Sequence, residues 1–172
     1  MKMNKMMIPL MFGFLFSLTA VSFGQEQGDP LKEAKELFNP ANFKQAKEKY
    51  IELAAREEYK NNIEVHKNLA ILYFDDRDYD KALTEFNKVI EIDSNQFRTY
   101  FFLGLTYEAL SMATDTRSEK IELRKAALSA WQEFSKRSTT HKYVNDERMK
   151  DMESKDRNTV ERHIRFLQGH LK

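Results

Sequence analysis

The residues best suited to metal or proton chemistry in this chain are four histidines, His66, His141, His163 and His170. His163 and His170 lie seven apart on one helical stretch, hence about 10.5 Å apart along a helix axis. A metal bound to imidazole nitrogen at about 2 Å cannot be gripped by both, so both read as solvated surface residues. His66 falls on an apolar stripe and reads as a packed structural residue. Ser135 and His141 are close in sequence, but no strained nucleophile turn accompanies them. Carboxylate pairs such as Asp75-Asp76 and Glu57-Glu58 fall where turns and helix ends are expected, and no motif makes one of them a general acid. Cys is absent, which removes disulfides, thiolate ligands and Cys nucleophiles. Beyond residue 24 the glycines are Gly28, Gly104 and Gly169, too scattered for a phosphate-cradling loop. No enzyme, metal or cofactor is expected from these residues.

The elements that would position side chains are helices. Only 5 Gly and 3 Pro occur in 172 residues, a composition that disfavours a turn-rich β fold. Thirteen Phe, 7 Tyr and one Trp supply enough aromatic surface for a packed core. The 28 basic and 27 acidic residues leave a formal charge of +1, which argues against a nucleic-acid partner.

Lys2 and Lys5 precede an uncharged run from Met6 to Gly24 that ends in the small residues Ser22 and Gly24. This is the pattern of a secretory signal peptide over 1–24, with cleavage before Gln25 and Ser22 as the alternative site. Removing it takes two Lys and no acid, so the net charge becomes −1. The rival reading is an uncleaved anchor, since the run is just long enough to span a bilayer. Membrane contact is expected only in that case, and export to the periplasm or medium in the other.

The segment 63–96 carries large residues at helical spacing: Leu69 and Tyr73, then Tyr79, Leu83, Phe86 and Ile90. An acidic turn, Asp75-Asp76-Arg77-Asp78, separates the two sets, and Asp78 is placed to cap the second helix. Leu103-Gly104 and Tyr107 repeat Leu69-Ala70 and Tyr73 at an offset of 34 residues. Ala70, Ala82 and Gly104 are small where two helices must approach closely. Helix–turn–helix content at this period resembles the tetratricopeptide repeat family, with Ser94 where the family usually has Pro and His66 where it often has Trp. The resemblance implies an all-α fold, a right-handed α-solenoid of about three repeats. They cover about 27–60, 63–96 and 97–138, the last with an insertion near 111–118. Upstream, Ala34, Leu37, Phe43, Ala46, Tyr50 and Leu53 follow the same spacing, with Asn39-Pro40 in the turn. Downstream, Ala127, Trp131 and Phe134 look like second-helix sites, displaced by 11 residues. An extended second helix absorbs this, with Thr116 and Glu119 as a capping box.

The tail, 139–172, has no repeat signature. Val160, Ile164, Leu167 and Leu171 form one stripe of an amphipathic helix from Asp156 to Leu171. It is expected to cap the last repeat, with a further short helix around Tyr143 to Met152. From Lys136 to Lys172 the net charge is +4, but acids are interleaved throughout, as on a solvated helix surface.

The resemblance further implies a concave groove that holds a partner's peptide or helix. Its positions transfer to Glu64, Lys67, Asn68, Ile71, Phe74 and Asp75 from the middle repeat, and to Arg98, Phe101, Leu105 and Glu108 from the next. Asn68 and Arg98 suit two sites of the family's carboxylate clamp, but Leu31 and Phe102 occupy others that should be polar. An apolar strip of Ile71, Phe74, Phe101 and Leu105, with Phe74 and Phe101 more exposed than their neighbours, is the expected contact. The alternative is that the terminal helix or a second copy fills that strip. The expected role is an exported, non-enzymatic scaffold or adaptor in assembly of envelope proteins. An accessory subunit of an envelope enzyme, or a self-associating structural protein, is the alternative.

Overall fold

The computed structural model describes residues 28–140 and 147–171, with side chains placed over 28–138 and 158–171. The expected leader, and with it the charge-run argument at its start, lies outside the described residues, as does His141. The described chain is all-α. Its seven α-helices are α1 (Pro30–Leu37), α2 (Phe43–Ala54), α3 (Ile63–Asp75), α4 (Tyr79–Ile92), α5 (Phe97–Ala113), α6 (Arg117–Thr140) and α7 (Glu147–His170). Each helix packs on the next in sequence, and α3 also touches α5.

Local chemistry sets the boundaries. Asp29 caps α1 by accepting from the Leu31 amide at 3.0 Å, and Pro30 opens the first turn. The helix stops after eight residues because Asn39 folds back on the chain. Its side-chain oxygen accepts from the amides of Ala41 and Asn42 at 3.1 and 3.2 Å, and Pro40 cannot continue a helix. Asn62 caps α3 through the Val65 amide at 3.1 Å. The other end of α3 closes with paired bonds from Asp78 N–H to Tyr73 C=O and from Arg77 N–H to Phe74 C=O, with Arg77 in the left-handed region at φ 62°.

Two expected caps differ. Asp78 stands at the start of α4 but makes no side-chain cap bond. Its carboxylate instead accepts from Lys81 at 2.6 Å, which holds it below the usual carboxylate range. Before α6, Glu119 takes the hydroxyl of Thr114 rather than partnering Thr116. Only 114–116 separate α5 from α6, so most of the insertion expected near 111–118 is helical. The extra residues lengthen both helices, to 17 and 24 residues.

Three packed clusters form the core. Ala34, Ala46, Tyr50, Leu53, Val65, Leu69 and Leu72 join α1, α2 and α3. Ala70, Ala82, Phe86, Leu103 and Ala130 join α3 to α6. Phe97, Ala127, Trp131, Phe134, Val160 and Leu167 bring α7 onto α5 and α6. The small residues act as expected: Ala70 and Ala82 are wholly buried, and Gly104 lies directly against Trp131. A Cβ at residue 104 would sit 2.5 Å from the indole. Being apolar around most of its circumference, α5 is the central helix. Two of its hydroxyls donate to its own backbone, Thr106 to Phe102 C=O and Ser111 to Glu108 C=O. The terminal helix begins at Glu147, earlier than the stripe from Asp156 indicates, and buries Val160 and Leu167.

Candidate functional site

The residues assigned to a groove divide into two environments. Glu64, Lys67, Asn68, Ile71 and Asp75 recur at three- and four-residue steps along one face of α3. Glu64 pairs with Lys35 of α1 at 2.8 Å, and that bond holds the Lys35 ammonium above its ordinary value. Asn68 is half-buried, its amide donating to the Tyr50 hydroxyl at 2.8 Å, so it is committed to the α2–α3 contact. Lys67 is half-buried. Ile71 and Asp75 line a cleft of about 410 Å³ together with Phe38, Asn39, Pro40, Phe43 and Leu72.

This cleft exists because α1 is short. The break at Asn39-Pro40 ends α1 at Leu37, and Ile71 and Leu72 of α3 line the hollow beside that turn. Its walls are fixed by packing. Phe38, still 37% exposed, meets Tyr50 edge-on with ring centres 5.9 Å apart. Phe43 lies under the Lys47 ammonium at 5.9 Å, and Lys47 is in turn held by Asp76. Asp75 is exposed at the rim, yet desolvation by its surroundings pushes the carboxyl above its usual range.

The α5 side is more tightly packed, with Phe74, Arg98, Phe101 and Leu105 all half-buried. Phe74 meets Tyr79 and Phe102 edge-on at 5.5 and 6.5 Å, and it is half-buried, as is Tyr73. Phe101 is wedged among Phe102, Trp131 and Phe134, with ring centres 5.2 to 5.9 Å away. Leu105 packs against the cluster that contains Val160 and Leu167. The expectation that Phe74 and Phe101 are more exposed than their neighbours holds against Leu69 and Leu103, which are buried. It does not separate them from Tyr73 and Tyr107, which are half-buried like them. Both Phe rings also pack on other aromatic rings. Arg98 remains half-buried near the start of α5.

Glu108 is a second correction. It is 7% exposed and ties three helices together. Its Oε1 accepts from Trp131 Nε1 at 2.8 Å, and both carboxylate oxygens lie 2.7 to 2.8 Å from His163 Nδ1. The His163 ring stacks on Trp131 with centres 4.9 Å apart. His163 is thus a structural partner of Glu108 and not a solvated surface residue. His66 behaves as expected, wholly buried between Glu85 at 2.6 Å and Lys60 C=O at 3.0 Å.

Sequence reasoning missed the cleft walls Phe38, Asn39, Pro40, Phe43 and Leu72, although the Asn-Pro break flanked by two Phe was a usable signal. It also missed the Glu108–Trp131–His163 cluster. The available hint was that Glu108 is the sole acid in the apolar α5 segment. Among the described residues no group of three His, Cys, Asp or Glu is placed to hold a metal ion, and no described helix is long and apolar enough to cross a membrane. No protein-family model matches the chain, and no curated protein is similar to it in sequence.

Proposed function

We propose that this chain is an exported interaction module of the tetratricopeptide type. In this reading it is a right-handed α-solenoid of about three repeats capped by α7, and it holds a segment of a protein partner during assembly of envelope proteins. The 34-residue spacing between the starts of α3 and α5 supports the repeat reading, as does the packing of each helix on its sequence neighbour. The basic, apolar and small-residue order of 1–24 supports export. The observation that carries the binding role is the cleft at the α1–α2 turn. It is a fixed, mostly apolar hollow with an aromatic wall left open to solvent, of the size that side chains of a bound segment fill.

The test is capture from the native envelope. Wild-type protein and an Ile71→Asp variant of equal helix content are used as bait. A stoichiometric partner held by the first and lost by the second supports the module reading. Equal capture by both removes the cleft from it.

Self-association is the second reading, favoured by Met112 and Phe166. They are 73% and 48% exposed and line one hollow above Glu108 and His163. Sedimentation velocity with Phe166→Ser decides it: a dimer that this change dissolves supports the structural alternative.

A further inference from the structure

The cleft beside α3 has an uneven polar inventory. Asn39 spends its side-chain oxygen on two backbone amides and its nitrogen on Glu36 C=O. The nearby Asp76 is neutralised by Lys47, and Glu64 by Lys35. Asp75 is the one charged residue in the lining. Among the described residues its carboxylate has no hydrogen-bond or ion-pair partner, and burial is the sole cause of its upward shift, with no cation contributing. Asp75 also closes the last turn of α3, where the helix dipole presents its negative end and a cation is favoured. A carboxylate partly desolvated by its apolar neighbours at a negative pole carries a cost in the free protein, and a cation arriving from outside relieves it.

Resting on the module reading above, we propose that this cleft takes a partner segment presenting a large apolar side chain beside a Lys or Arg. The apolar group seats against Phe38, Phe43, Ile71 and Leu72, and the cation meets Asp75. Charge complementarity selects this occupant. An acidic segment would place its charge against an unneutralised carboxylate, and a wholly apolar one would bury that carboxylate without a donor. The aromatic walls are already fixed on Tyr50 and Lys47, so little ordering cost falls on binding.

The experiment uses the chain with three pools of short acetylated, amidated peptides. Each pool has Leu or Phe at its centre, and the flanking positions carry Lys in the first, Gln in the second and Glu in the third. Binding is read by amide shifts in an isotope-labelled sample. The Lys pool should bind about tenfold tighter than the Glu pool at low salt, with the gap narrowing as salt is raised. Shifts should centre on 38–43 and 71–76. Asp75→Asn should bring the Lys and Gln pools to equal affinity while leaving the circular dichroism unchanged. Arg98→Ala should keep the Lys preference.

Equal binding of Lys and Glu pools, or a preference that survives Asp75→Asn, overturns the inference. So do shifts confined to 98–105, although these leave the module reading standing. Binding of no pool also overturns it, and capture of a native partner then tests the module separately. A dimer in sedimentation that Ile71→Ala dissolves assigns the cleft to a second copy and overturns it too.

Discussion

Glu108 shows how one side chain can set the relation of three helices. A carboxylate inside a helix pair costs several kcal/mol of hydration unless donors replace the water. Here Trp131 from α6 and His163 from α7 supply them. Glu108→Ala should therefore cost about 3 kcal/mol, since it strands the indole N–H and the imidazole together. Glu108→Gln keeps an acceptor for Trp131 and should cost clearly less. Urea midpoints followed by emission of the single Trp would show this order, and equal losses would mean that packing volume, not pairing, governs the site. Asp75 makes the opposite case. Its carboxyl is raised by burial, so between the unfolded and folded values the native state binds more protons than the unfolded one. Stability contributed at this residue then falls as pH rises through the carboxylate range. Asp75→Asn should match the wild type near pH 3 and exceed it by pH 6–7, roughly the span over which an Asp carboxyl ionises. Urea midpoints at those pH values check it, and a variant less stable at neutral pH would refute it.

At the scale of elements, helix spacing is set by the smallest residues. Gly104 brings α5 against Trp131 so closely that an added methyl would lie 2.5 Å from the ring. Gly104→Ala gains about 1 kcal/mol of helix propensity, yet the clash should leave it destabilised by about 1–3 kcal/mol. A raised thermal midpoint would show that the α5–α6 contact yields easily. The positions of Ala70, Ala82, Gly104 and Trp131 were legible in the sequence because helix packing writes itself as a small–large alternation at fixed spacing. The accessibility of Phe101 and Leu105 was not. Whether a face of α5 is open depends on α6 and α7, whose approach is fixed by contacts such as Glu108–His163, 55 residues apart in sequence. The cleft was hidden for a related reason. An Asn-Pro break signals where α1 ends, but what its absence uncovers on α3 is a tertiary fact. The α5–α6 hairpin was legible in part: the extended second helix is present, whereas the residues read as an insertion near 111–118 mostly lengthen α5 and open α6.

For the whole molecule, packing of each helix on its sequence neighbour has a thermodynamic consequence. In such a chain the ends can open while the middle stays folded, because few contacts reach past the next element. The terminal helix is held by Val160 and Leu167, both buried, and by His163 on Glu108. Combining Val160→Ala with Leu167→Ala removes the apolar part of that seat, with the Leu alone worth about 2–5 kcal/mol. Hydrogen exchange should then show protection lost along α7 and on the α6 turns that face it, while α2 to α4 exchange as in the wild type. Trp131, stacked under His163, should become wetter, with its emission moving to longer wavelength. If protection instead falls equally from α2 to α7, the helices form one cooperative unit. The stability of the cleft beside α3 would then depend on the far end of the chain. If loss stays confined to α6 and α7, the cleft is thermodynamically independent of the cap, and partner binding there should be unchanged in the double variant.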